Sequence, residues 1–150
     1  ILIMKFFFVS FFCVLIVISC KKKEDDSCDN CQDGGPVEQL EFSYTLNGGS
    51  KIVADSAFFN ASSKTITSYY QGIANRINIK TTSQIAGTYN FTTTANVLSY
   101  THAGLTYMAS GGYINITDNS NNKMSGNFIS NGTGGGYTSV NGQFKDITKK

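Results

Sequence analysis

The sequence has one proline, one histidine and no tryptophan among its 150 residues, and each shortage narrows what the chain can do. His102 is the only imidazole. Any Ser-His-acid arrangement or histidine-paired nucleophile must therefore run through it, and zinc would lack the further ligands it requires. No G-x-S-x-G segment supplies a nucleophilic serine. Without tryptophan, a sugar-stacking face has to be built from tyrosine, whose apolar ring carries a polar tip. Charge is sparse as well: 12 basic and 10 acidic residues leave a net charge of +2. The basic residues are scattered or set beside acids, so there is no footprint for nucleic acid. Alanine and leucine, the strongest helix formers, are few, whereas Tyr, Phe, Thr, Ser, Asn and Gly abound. That balance favours strands and polar turns.

The four cysteines do not form a disulfide framework, because Cys13 lies inside an apolar leader and Cys20 at its end. Cys28-Asp29-Asn30-Cys31 has C-x-x-C spacing, which in redox enzymes sits at a helix N-terminus that stabilises the thiolate. Here acidic neighbours raise the thiol pKa instead. A local disulfide, a disulfide to a partner or an idle pair are the expected states.

Met4-Lys5 and the apolar run Phe6 to Ile18 have signal-peptide length, short of the roughly 20 residues of a spanning helix. Residues 1–19 read as the signal, with Ile1-Leu2-Ile3 preceding the expected start. The run ends in Val17-Ile18-Ser19-Cys20, which resembles the lipobox of bacterial lipoproteins. That resemblance implies cleavage between Ser19 and Cys20 and lipidation of Cys20, whose acyl chains would supply the membrane anchor at about 0.8 kcal/mol per buried CH₂. The following Lys21-Lys22-Lys23-Glu24-Asp25-Asp26 is similar to the surface-export signal of Bacteroidota lipoproteins, with Lys23, Glu24, Asp25 and Asp26 as its candidate residues. The implied location is the outer membrane, lipid-anchored and surface-exposed. A merely solvated tether on the periplasmic face is the alternative. Under either reading residues 20–36 form a flexible charged tether.

From about residue 37 to 150 the hydrophobic period is two. Leu40, Phe42, Tyr44 and Leu46 alternate with Glu41, Ser43 and Thr45, which predicts a half-buried strand. Asn47-Gly48-Gly49 predicts a hairpin turn into Ile52-Val53-Ala54. Further strands are predicted at 65–70, 73–80, 88–92, 97–101, 105–109, 113–117, 124–130 and 137–140, with 143–148 following an Asn141-Gly142 turn. The stretch Ala57-Phe58-Phe59 is assigned a candidate helical turn. The expected fold is a single all-β domain, an antiparallel β-sandwich of about 8–10 short strands, with a small calycin-like β-barrel as the alternative.

Gly87-Thr88-Tyr89, Gly112-Tyr113-Ile114-Asn115-Ile116-Thr117, Met124-Ser125-Gly126-Asn127-Phe128 and Val140-Asn141-Gly142-Gln143-Phe144 together resemble an uncharacterised β-sandwich-like domain of small Bacteroidota lipoproteins. The resemblance covers nearly the whole domain and implies no activity, so no functional residue carries over. Read physically, Tyr89, Ile114, Ile116, Phe128 and Phe144 face inward while glycines turn corners.

Among candidate sites, Asp118-Asn119-Ser120-Asn121-Asn122 has the oxygen-rich look of a calcium loop but lacks the glycine and the bidentate Glu of an EF-hand. A polar hairpin loop is expected there, and no metal. Asn131-Gly132-Thr133-Gly134-Gly135-Gly136 lacks the Lys-Ser/Thr of a phosphate loop and is expected to be a mobile loop. Tyr69-Tyr70, Tyr100, Tyr107, Tyr113 and Tyr137 are candidates for a stacking face, and Tyr100, His102, Tyr107 and Tyr137 are taken as the candidate ligand surface. Asp55-Ser56-Ala57 is similar to the short O-glycosylation motif of Bacteroidota, which makes exposure of Ser56 a requirement. No catalytic residue and no cofactor are assigned. The expected function is non-enzymatic, a surface-tethered binding module for a glycan, an envelope protein or a host component. A structural subunit docked through a sheet edge onto an outer-membrane complex is the alternative, and a hydrolase using His102 a third reading.

Overall fold

Alternation of apolar and polar residues carries directly into strands. The computed structural model describes residues 41–150, which form ten strands and, among the described residues, no helix. The strands are β1 (Glu41–Leu46), β2 (Ile52–Val53), β3 (Ser56–Asn60), β4 (Thr65–Tyr69), β5 (Arg76–Lys80), β6 (Gly87–Asn90), β7 (Val97–His102), β8 (Leu105–Asp118), β9 (Lys123–Thr133) and β10 (Val140–Lys149). The candidate residues Ser19, Cys20, Lys23, Glu24, Asp25, Asp26, Cys28 and Cys31 lie outside the described residues.

The domain is all-β, and β10, β3, β4, β5, β7, β8 and β9 pair in a closed ring. It is this closed barrel, and not two separate sheets, that corrects the sandwich expectation. Closure depends on two long strands, β8 and β10, which pair with β9 along one edge and divide the other edge between two partners. β8 pairs β7 through residues 105–108 and β6 through 113–116. β10 pairs β1 through residues 140–145, then β3 in parallel through Thr148 and Lys149. Bulges bend both strands where the partner changes, between Ala109 and Gly111 in β8 and between Phe144 and Ile147 in β10, as bulges do at barrel corners. Gly112, with φ of 98°, follows the first bulge, where a Cβ would stand 2.1 Å from the Ile129 carbonyl oxygen. Asp146, with φ of 54°, makes the second. Its N–H donates to Ser125 Oγ (2.9 Å).

Three tight hairpins use the left-handed residues that twisted two-residue turns require. Asn47-Gly48 leads to a Gly49 N–H bond to the Leu46 carbonyl (2.9 Å), and Asn121-Asn122 to a Lys123 N–H bond to the Ser120 carbonyl (2.7 Å). Ala103-Gly104 joins His102 to Leu105 in the third. The segment 118–122 is thus a hairpin, as expected. Two expectations are corrected. Ala57-Phe58-Phe59 lies in β3, paired with Ser68, Thr67 and Ile66, because the apolar alternation at Phe59 is satisfied by a strand facing the core. Asn141-Gly142 lies inside β10 and not in a turn.

The reason for Gly142 is close approach. Gly142 pairs with Phe128 and Phe144 with Gly126 across β9 and β10. A Cβ on Gly142 would stand 2.6 Å from the Phe128 ring, and one on Gly126 would stand 2.6 Å from the Phe144 ring. Each phenylalanine lies over the other strand's glycine. Phe42 packs on both rings, at centroid distances of 5.7 Å and 6.3 Å. Tyr107, Phe59, Ile66, Ile77, Ile79, Leu98, Ile114, Ile116, Met124 and Ile147 fill the rest of the interior. Ile114, Ile116, Phe128 and Phe144 face inward as the sequence predicts, while Tyr89 is half-buried against the core.

Candidate functional site

The strand ends divide the loops into two groups. At one end lie the β4–β5, β7–β8 and β9–β10 connections and the β1 turn. Here the alternating inward face of β7 brings Tyr100 into the barrel and places His102 at the rim. Tyr100 meets Tyr44 of β1 at 5.7 Å between ring centroids, Tyr137 of the β9–β10 loop edge-on at 5.2 Å, and His102 stacked at 6.3 Å. Tyr70, just past β4, completes the group, with its phenol near enough to act on Tyr44 and Tyr100. Burial away from water, then the neighbouring phenol of Tyr100, holds Tyr44 well above the usual phenol range. Burial and then Tyr137 raise Tyr100.

Two exposed aliphatic side chains share this end of the barrel. Ile73 in the β4–β5 loop is 80% exposed and Leu105, opening β8, is 60% exposed. His102 is exposed, and Tyr70 and Tyr137 are half-buried.

Of the segment read as a loop, Asn131, Gly132 and Thr133 lie in β9, and the connection that follows, which carries Tyr137, is hydrogen-bonded to the β1 turn. Asn47 Oδ1 accepts from the Thr138 N–H (2.8 Å), the Thr138 hydroxyl (3.1 Å) and the Ser139 N–H (3.2 Å). Asn47 N–H donates to the Ser139 carbonyl (3.0 Å) and Gly132 N–H to the Thr138 carbonyl (3.0 Å). Gly134, Gly135 and Gly136, all at positive φ, make the reversal. Tyr137 is thereby held against Tyr100 by one asparagine 90 residues earlier in the chain.

Of the predicted ligand surface, Tyr100, His102 and Tyr137 come together, but Tyr107 does not join them. Tyr107 is fully buried inside the barrel, and its hydroxyl donates to Ser130 Oγ (3.1 Å), which donates to the Val140 carbonyl (2.6 Å). Tyr100 is itself only 2% exposed, so it backs the surface and Tyr137 and His102 present it. Tyr69 packs on Phe58 (6.4 Å) on the barrel wall, and Tyr113 stands opposite Asn90 and Ile129. The sequence reading missed Tyr44, Asn47, Ile73 and Leu105. Only Asn47 carried a signal, its turn dipeptide.

The acids of the described residues lie on separate elements and have local partners. Glu41 is ion-paired with Lys51, whose hydrogen bond and charge lower its pKa. Asp55 accepts from the Gln71 N–H (2.6 Å), Asp118 from the Ser120 hydroxyl (3.0 Å) and Asp146 from the Ser125 hydroxyl (3.3 Å). Ser56 is exposed at the start of β3, which meets the requirement of the O-glycosylation motif.

No protein-family model matches the chain, and neither a curated protein nor a solved structure matches it.

Proposed function

We propose that this chain is a lipid-anchored outer-membrane binding module, non-enzymatic, that engages its partner through the tyrosine-rich end of the barrel. One observation carries the reading. The barrel interior is packed with side chains, whereas one end presents Ile73, Leu105, His102 and Tyr137 on loops fixed by tight turns and by Asn47. A filled barrel holds no ligand inside. Rigid rings backed by a buried tyrosine provide contact area at little entropic cost.

The exposed aliphatic residues Ile73 and Leu105 at the same end of the barrel favour an envelope protein over a glycan as partner. The anchor is Cys20, and the acidic tether directs the domain to the cell surface. The calycin-like description of the barrel belongs to this proposal too, on the strength of the closed ring, which is antiparallel at every pairing but the short parallel one between β10 and β3.

The test is co-purification of the full chain from detergent-solubilised membranes. A partner should be recovered with the native chain and lost with Ile73→Asp/Leu105→Asp, while circular dichroism and membrane association stay unchanged. Equal recovery with both forms would remove the barrel end from the reading. Release of Cys20→Ala from the membrane fraction tests the anchor separately.

A further inference from the structure

The opposite end of the barrel carries a second surface of different chemistry. The β3–β4 turn, the end of β5 and the β6–β7 connection enclose an open groove of about 600 Å³. Its lining combines two cations and several hydroxyls with the methyl and methylene surface of the same side chains: Ser62, Ser63, Lys64, Lys80, Thr82 and Thr94 line it with three further residues, none of them acidic. Lys64 and Lys80 come from the two sides of a β4–β5 pairing in which Thr65 lies opposite Lys80.

Lys64 is placed by its backbone. Lys64 sits at φ of 53°, a conformation that glycine or asparagine adopts at lower cost than a long side chain. Its carbonyl accepts from the Thr81 N–H (2.9 Å), and its Nζ donates to the Thr82 carbonyl (2.9 Å). The ammonium is thus steered across the groove toward the 80–82 segment. Thr82 is fixed in turn, its N–H and hydroxyl both donating to Asn96 Oδ1 (2.8 Å and 3.1 Å). Asn96 is 8% exposed and anchors the groove floor to the β6–β7 connection, donating to the Asn90 carbonyl (3.0 Å).

We infer that this groove binds a phosphate-bearing sugar, with Lys64 and Lys80 on the phosphate oxygens and the serine and threonine rim on the sugar hydroxyls. Two ammonium groups without a carboxylate select an oxyanion. The volume exceeds that of a lone phosphate, and a lining that sets hydroxyls beside methyl and methylene surface suits a sugar ring, which offers both hydroxyls and C–H faces. The phosphate can come from the headgroup of a glycolipid or from a soluble sugar phosphate, and both offer the same chemistry. The inference stands independently of the tyrosine-rich end and of the lipid anchor.

The test titrates the full chain, in a non-ionic detergent, with glucose 6-phosphate, glucose and inorganic phosphate, following backbone amide shifts. Glucose 6-phosphate should produce saturable shifts confined to residues 62–65, 80–82 and 94–95, and glucose should produce none. Lys64→Gln/Lys80→Gln should weaken the response about tenfold or more, and added salt should weaken it further in the native chain. No saturable shift with glucose 6-phosphate, or one that survives the double substitution, would overturn the proposal. Co-sedimentation with vesicles bearing phosphorylated glycolipid, competed by glucose 6-phosphate, assigns the headgroup as the source. Groove-dependent binding of glucose 6-phosphate without vesicle binding assigns the soluble form.

Discussion

Replacing Gly142 with alanine tests the packing that holds β1, β9 and β10 together. The added Cβ would stand 2.3 Å from the Ser43 carbonyl oxygen and 2.6 Å from Phe128 Cζ. Ordinary contact needs about 3.4 Å, so β1 and β10 must separate locally by about 1 Å, or the ring must leave its place. The ring is 1% exposed and packed on Phe42, which leaves it little room. Overpacking of this kind costs about 1–3 kcal/mol, and weakening one or two ladder bonds adds about 1 kcal/mol each. Reduced freedom of the unfolded chain returns about 0.4–1 kcal/mol. The expected loss is about 3 kcal/mol. In urea unfolding followed by tyrosine fluorescence, with a slope of about 1.5–2 kcal/mol/M, the midpoint should fall by about 1.5–2 M. Gly48→Ala is the control: its φ is 70° but nothing lies within 4 Å of the new Cβ, so only the conformational cost of about 1–2 kcal/mol applies. Combining Gly142→Ala with Phe128→Leu should cost less than the sum of the two, by about 1 kcal/mol. A Gly142→Ala loss no larger than that of Gly48→Ala, with additive double-variant behaviour, would refute the reciprocal glycine–phenylalanine packing.

Asn47→Ala removes the acceptor for three donors of the β9–β10 loop, and should cost about 2 kcal/mol. It should also speed amide hydrogen exchange at Thr138 and Ser139 ahead of the rest of the barrel. Ala103 occupies φ of 48° in an exposed turn, so Ala103→Asn should stabilise the fold by about 0.5–1 kcal/mol, read as a rise of a few degrees in Tm. Stability should decline on the alkaline side. Tyr44, Tyr100 and Tyr107 have pKa values raised in the fold, so above a pH of about 10 the unfolded chain sheds protons that the native one keeps, and the slope turns negative. Each such phenol contributes up to about 1.4 kcal/mol per pH unit. The phenolate absorbance should rise in two stages, the later one coinciding with unfolding, and Tyr44→Phe should reduce that later stage.

Much of the strand order along the chain was legible in local pattern. The period-two run through Phe42 and Tyr44, the Asn47-Gly48 turn and the polar 118–122 hairpin each follow from residues that are neighbours in sequence. Asn141-Gly142 was misread because a turn dipeptide and a close-approach glycine look alike. What separates them is Gly-x-Phe on both strands, Gly126-Asn127-Phe128 and Gly142-Gln143-Phe144, whose two-residue offset becomes reciprocal only in antiparallel register. Closure of the ring was not legible. It depends on two-residue parallel pairing of Thr148 and Lys149 with Phe58 and Phe59, a long-range contact without a local signature. The candidate site shows the same division. Tyr100, His102 and Tyr137 were found by residue type, but Tyr107 was included with them because position along a strand does not reveal depth in a barrel. The bulge that sets inward facing beyond Ala109 comes after it. Ile73 and Leu105 were passed over because exposure of an aliphatic side chain is a tertiary property.

The most direct test of the account places a photoreactive side chain at position 73, 105 or 129 of the full chain in living cells and maps what each captures on illumination. Ile129 is 48% exposed on the barrel wall and serves as the comparison for exposed apolar character alone. The account predicts one adduct shared by positions 73 and 105 and absent from 129. Capture from 129 without capture from 73 and 105, or no adduct from any of the three, would contradict the assignment of the tyrosine-rich end as the binding surface.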